Sequence, residues 1–207
     1  MLARCVHPEC TCVPIGATFE VLKIERIENI EVYNAHKTYE ARVATAAENL
    51  PRPRPVPQTD AWLRRLALKN GLCDVSNTRY LLHCTKVVNI AKIRDHGLRT
   101  SISLNSDTLS YCKGCYFTDN SCKAQQYTTD GQSTQRIPIC RVVLGRTELL
   151  KGQCPNRLFP SPQYDSVFAQ WGSTTNIHGQ PQLHNEYVVF TDRACYPEFV
   201  LTYRCSS

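Results

Sequence analysis

Glu186 stands at the mouth of an apolar run, Tyr187 to Phe190, where a carboxylate needs a chemical reason. A continuous run of that kind, bounded by polar residues, reads as a strand covered on both faces, so an acid at its start lines a cleft or a loop. His83 lies near the end of RYLLHCT, residues 79 to 85, and polar residues at a strand's end tend to face a cleft. Tyr116 and Tyr127 sit on either side of a helix start in GCYFTDNSCKAQQY, residues 114 to 127. Phenol rings can hold a planar group between them, and a carboxylate stabilises positive charge that develops on a reacting centre. Each residue taken singly also has an ordinary structural role: a satisfied histidine, packed tyrosines, a solvated strand-edge acid.

The 12 cysteines offer a second kind of chemistry. Cys5, His7, Cys10 and Cys12 form C-x-H-x-x-C-x-C, and Cys112 with Cys115 forms C-x-x-C. Tetrahedral zinc usually draws on two separated knuckles and C-x-C is tight for one ion, so zinc, disulfides and inert thiols all stay open.

The elements that must position these residues follow from periodicity. FEVLKIERI, residues 19 to 27, reads as a strand, and Val32, His36, Tyr39, Val43 and Ala47 then recur along one helical face. PRPRPVP, residues 51 to 57, stops any helix and reads as an extended connector. A short helix follows, with Asp60 as N-cap, Trp62, Leu63 and Leu66 inward and Gly71 as stop. The strand at 79 to 85 leads to a helix over about 87 to 96 that ends at Gly97. Cys115 to Phe117 reads as a short strand before a helix over about 120 to 128, IPICRVVLG as a strand, and residues 151 to 183 as largely irregular. EYVVF and EFVLTY close the chain as strands. Strands with helices grouped toward the front predict an α+β domain rather than a doubly wound parallel sheet.

The totals set the limits. With 207 residues, 42% of them hydrophobic, the chain can bury one core, which gives a domain over 18–207 behind a cysteine-rich arm over 1–17. The net charge of +6 is spread without an arginine-rich block or an aromatic box, which argues against nucleic acid as a partner. Neither end has an apolar run long enough to cross a bilayer, so the expectation is an intracellular protein of the cytoplasm or nucleus with no membrane partner.

LLHCT around His83, GCYFTDNSCKAQQY and NEYVVF resemble, in order and local context, the three signature blocks of the poly(ADP-ribose) polymerase catalytic domain, of tankyrase type in flavour. FEVLKIERIEN, NIAKIRDHGLR, ICRVVLG and YPEFVLTY extend the likeness over roughly residues 18 to 205. The resemblance implies the ADP-ribosyltransferase fold, with two packed, mainly antiparallel sheets and flanking helices. It also implies an enzyme that moves ADP-ribose from NAD to a protein side chain, singly or in short chains, and releases nicotinamide. His83, Tyr116 and Glu186 would be the catalytic set. His83, Cys84, Thr85, Arg99, Tyr116, Ala124 and Tyr127 would bind NAD as co-substrate. His83 would donate to a ribose hydroxyl, the backbone of Cys84 would grip the carboxamide, and no metal is assigned to the reaction. Zinc through Cys5, His7, Cys10 and Cys12 would be separate from it.

Departures from the family pattern fall at the nicotinamide grip and around the acceptor side. Cys84 replaces a usual glycine, Ala124 a usual serine, Cys112 a usual glycine, and His184 a common aromatic, while Lys123 keeps the family's lysine. These changes favour single-unit transfer at least as much as chain growth. No room remains for the helical regulatory subdomain of DNA-responsive members, so no DNA-dependent activation is expected. Transfer to water and a silent NAD- or ADP-ribose-binding module are the competing readings.

Overall fold

The computed structural model describes Cys10, residues 18–48, 61–105, 109–128 and 134–172, Thr175, Gly179 and residues 182–206. The rest of the arm, the connector at 51–57 and Asp60 lie outside the described residues. Strands β1 (Thr18–Arg26), β2 (Thr78–His83), β3 (Cys115–Thr118), β4 (Thr134–Val143), β5 (Thr147–Leu149), β6 (Ser166–Ala169), β7 (Glu186–Val189) and β8 (Cys195–Ser206) join one sheet. Its order is β1-β8-β4-β2-β3-β7-β6-β5. Helices α1 (Ile30–Glu48), α2 (Ala61–Lys69), α3 (Ile90–His96) and α4 (Ser121–Gln125) flank it, with 3₁₀ turns at Val87–Asn89, Thr100–Asn105 and Asp192–Ala194. The domain is α+β, and among the described residues no helix is long and apolar enough to cross a membrane.

The expected pair of sheets is instead one sheet with a narrow seam. Four strands on each side meet through β2 and β3, which pair antiparallel at only Leu82↔Thr118 and His83↔Phe117. All pairings are antiparallel except β5 with β6. So short a ladder lets the two halves diverge while keeping them hydrogen-bonded, and His83 lies in the join.

Both faces of the central strands are covered, which is why their sequences run apolar without strict alternation. In β2, Leu81 joins one buried cluster with Tyr39 and Val43 of α1, while Tyr80 and Leu82 join another with Leu63 of α2. In β7, Tyr187 and Val189 pack on the first side and Val188 with Tyr111, Leu150 and Val167 on the other. The predicted face of α1 holds, with His36, Tyr39 and Val43 buried. The short β6 was not foreseen: four buried residues within a stretch of turn formers carry too little pattern to read as a strand.

Gly114, one residue before β3, is fixed by contact. A Cβ there would stand 2.5 Å from the Val189 carbonyl oxygen and 2.6 Å from Val188 Cγ1. Gly114→Ala should therefore destabilise the domain by about 1–3 kcal/mol, the ordinary cost of overpacking. Gly152, whose Cβ would meet nothing within 4 Å, is the control and should stay within about 0.5 kcal/mol on Gly152→Ala. Urea unfolding of both variants checks this, and equal midpoints for the two would contradict the packing.

Candidate functional site

A cavity of about 1100 Å³ opens at the seam. His83 ends β2, Tyr116 lies in β3, and Glu186 begins β7, on three strands that adjoin in the sheet. The pairs His83↔Phe117 and Phe117↔Tyr187 bring the three to within one residue of the same level. All three line the cavity, together with Cys84, Thr85, Arg99, Lys123, Tyr127 and Gln182. Ala124 is the expected site residue that does not line it: it is fully buried, with its methyl group in the cluster of Leu82, Ile139 and Leu201. A side chain with no polar atom, on the inward face of a short helix, packs into the core.

His83 Nδ1 lies 2.9 Å from the Tyr116 carbonyl oxygen. A carbonyl only accepts, so Nδ1 carries the proton and donates. Burial lowers the pKa of the ring to about 4, although the Tyr116 carbonyl pulls the other way. At neutral pH Nε2 then carries a lone pair and can accept a hydrogen bond.

Tyr116 has a second task. Its hydroxyl donates to the Cys112 carbonyl at 2.8 Å and accepts from the Tyr111 and Cys112 amides at 3.1 and 2.9 Å. The ring thus borders the cavity while its hydroxyl closes the preceding loop. Tyr127, past the end of α4, is half exposed, and the Lys123 ammonium sits 5.3 Å from the centre of its ring.

Glu186 is nearly buried, and two groups hold its Oε1. Lys123 Nζ lies 2.7 Å away and Gln182 Nε2 donates at 3.0 Å. Burial works against charge on Lys123, but Glu186 beside it more than offsets this and holds the ammonium well above the usual lysine range. Both contacts fall on Oε1, which leaves Oε2 for a ligand. Burial pushes the Cys84 thiol up to about 12, so it stays protonated and does not act as a nucleophile.

Several positioning residues were not anticipated. Asn185, directly before Glu186, donates to Asp119 Oδ2 at 3.1 Å, accepts from the Trp171 amide at 3.0 Å, and lends its carbonyl to Thr118 Oγ1 at 2.8 Å. Tyr187 on the other side donates to the same Asp119 oxygen at 3.2 Å. Gln182 reaches both Glu186 and the His184 carbonyl. The Asn-Glu-Tyr triplet was the available signal for this scaffold. Arg99 lines the cavity but leans on Asp192 at 3.4 Å. Thr85 Oγ1 accepts from Asn89 at 3.0 Å.

The C-x-x-C pair does not act as a unit. Cys112 faces Cys154, with their sulfurs 3.2 Å apart, whereas Cys115 neighbours Cys195, and all four are free thiols. Of the arm's four soft ligands, only Cys10 is among the described residues.

Comparison with known proteins decides the family. The sequence profile of the poly(ADP-ribose) polymerase catalytic domain matches residues 11–205. The chain belongs to that family. Human protein mono-ADP-ribosyltransferase PARP14 is 26% identical over 194 residues, which cover 90% of this chain and 9% of that protein. The chain therefore spans about a tenth of this relative's length. In this poly(ADP-ribose) polymerase catalytic domain the histidine is held on a carbonyl and the glutamate on a lysine.

The depressed histidines make stability fall in mild acid. His36, fully buried, is brought down to about 4 chiefly by burial, as His83 is. The unfolded chain takes up a proton at each near pH 6.5, the folded one only near 4, so the unfolded state binds more protons in between. Their contribution is whole above about 6.5 and shrinks as pH drops toward 4, by about 1.4 kcal/mol per pH unit for each histidine. Urea unfolding at intervals across this window should show the decline, with a shallower slope for His36→Gln. Stability independent of pH from 6.5 to 4.5 would contradict the assignment.

Proposed function

We propose that this chain transfers ADP-ribose from NAD to a protein side chain, one unit at a time, and releases nicotinamide. The observation that carries the reading is that His83, Tyr116, Tyr127 and a buried, doubly held Glu186 open on one cavity. Its volume, just above the range usual for drug-sized ligands, suits a dinucleotide.

In this reading the nicotinamide ring lies between the Tyr116 and Tyr127 rings, with its carboxamide on the backbone of Cys84. Nε2 of His83 accepts from a ribose hydroxyl, and Thr85 and Arg99 border the adenosine side. Glu186 Oε2 accepts from the 2′-hydroxyl of the nicotinamide ribose. The bond from ribose C1′ to the pyridinium nitrogen then breaks, its electron pair leaves on nicotinamide, and positive charge builds on the sugar, where the carboxylate stabilises it. An acceptor oxygen or nitrogen attacks C1′ and gives up its proton to solvent. His83, Tyr116 and Glu186 are the triad of this reading.

Single-unit transfer draws on the departures at Cys112 and His184 and on a curated relative that is named a mono-ADP-ribosyltransferase.

Incubation with NAD labelled in the adenylate moiety and a mixture of acceptor proteins tests the reading. Label should appear on protein as single units. Free ADP-ribose alone would indicate hydrolysis, and unchanged NAD with measurable binding would indicate a silent module; either result overturns the transferase. Glu186→Gln should lower turnover by about 10²- to 10³-fold while sparing most NAD affinity. Tyr127→Ala should damage binding first.

A further inference from the structure

Away from the cavity lining, three soft donors from distant parts of the chain converge. Cys10 Sγ lies 3.1 Å from Cys122 Sγ and 3.4 Å from His184 Nε2, and Cys122 Sγ lies 3.9 Å from the same nitrogen. The three residues are 6%, 0% and 5% exposed. One comes from the arm, one from α4 and one from the loop before β7.

Zinc bound by thiolate at about 2.3 Å and imidazole at about 2.0–2.1 Å in a tetrahedron sets two sulfurs about 3.8 Å apart and sulfur and nitrogen about 3.6 Å apart. The two sulfur–nitrogen distances fall on either side of that value, and the sulfurs are closer by a fraction of an ångström. A disulfide between Cys10 and Cys122 is the competing occupant of this geometry. It has no use for an imidazole nitrogen within reach of both sulfurs, whereas a metal ion does.

We infer that Cys10, Cys122 and His184 bind a structural zinc ion that fastens the N-terminal arm to the catalytic domain. Binding takes neutral imidazole and two thiolates, whose protons go to solvent. Water or a further ligand can take the fourth tetrahedral position. The site is discontinuous, which explains why spacing within the arm alone was a poor guide to it.

The placement gives the ion a second consequence. Cys122 precedes Lys123, and His184 stands two residues before Glu186. The ion would clamp together the two segments whose side chains form the 2.7 Å Lys123–Glu186 pair. Gln182 Nε2, which reaches Glu186, also donates to the His184 carbonyl at 2.7 Å.

Metal analysis of the full chain, purified with reductant and without chelator, tests this independently of catalysis. About one equivalent of zinc is expected. Cys122→Ser and His184→Ala should reduce it to background, while His184→Cys and the distant Cys73→Ser retain it. Cobalt(II) in place of zinc should give a thiolate-to-metal charge-transfer band that Cys122→Ser weakens. Two results on the wild-type chain, neither relying on a variant that folds, would overturn the site. One is background metal after incubation with zinc. The other is an intact mass lowered by two hydrogens, with the bridge mapped to Cys10 and Cys122.

Discussion

The buried ion pair between Lys123 and Glu186 is the constraint on which the rest of the site depends. The side chains are only 15% and 10% exposed, so both charges have lost most of their water, at a desolvation cost of several kcal/mol each. Such a pair seldom adds much stability, yet loss of one partner typically costs about 3–5 kcal/mol because the other is left buried and uncompensated. Its value lies in position. Lys123 rides on α4 and Glu186 opens β7, so their contact sets the distance between the helix that leads to Tyr127 and the strand that carries the acid. Gln182 on the same carboxylate oxygen and the Tyr127 ring near the ammonium complete the setting.

The sheet supplies the place where this pair can matter. A seam two residue pairs long joins four strands to four, and the cavity opens where that ladder ends. His83 is anchored there through its own ring, by a hydrogen bond to the backbone of the next strand. Tyr116 is anchored through its hydroxyl, which leaves its ring to border the cavity. Asp119 ties the residue before Glu186 and the residue after it to one carboxylate oxygen, so the acid is held from both neighbours. His83 and Tyr116 are thus each fixed by a bond at one atom of the side chain, and Glu186 by the bonds of its two chain neighbours as well as its own.

Much of this could be read from the chain. The apolar runs at 79–83 and 186–190 announced covered strands, and the α1 face was legible because five residues recur at helical spacing. The residues that line the cavity were reachable through motif order, since a strand end, a Tyr-Phe strand and a strand-opening acid carry local context. What stayed hidden is long-range. The pairing of Lys123 with Glu186 and the hold of Asp119 on Asn185 join residues more than 60 apart, and no local periodicity encodes which polar side chains meet. Ala124 was placed in the site by analogy and lies in the core, because without a hydroxyl it has no polar partner to seek. The C-x-x-C spacing left the partners open, and the structure puts Cys112 and Cys115 in different buried clusters. The single sheet was missed because a two-pair ladder leaves no trace in either strand's sequence.

The most direct test of the account is a crystal structure of the chain with a non-cleavable NAD analogue in which carbon replaces the oxygen of the nicotinamide ribose ring. The account predicts the pyridine ring between Tyr116 and Tyr127, Glu186 Oε2 within hydrogen-bond distance of the 2′-hydroxyl, and Lys123 still on Oε1. A nicotinamide ribose bound elsewhere, or an analogue seated in the cavity with Glu186 turned away from it, would contradict the account.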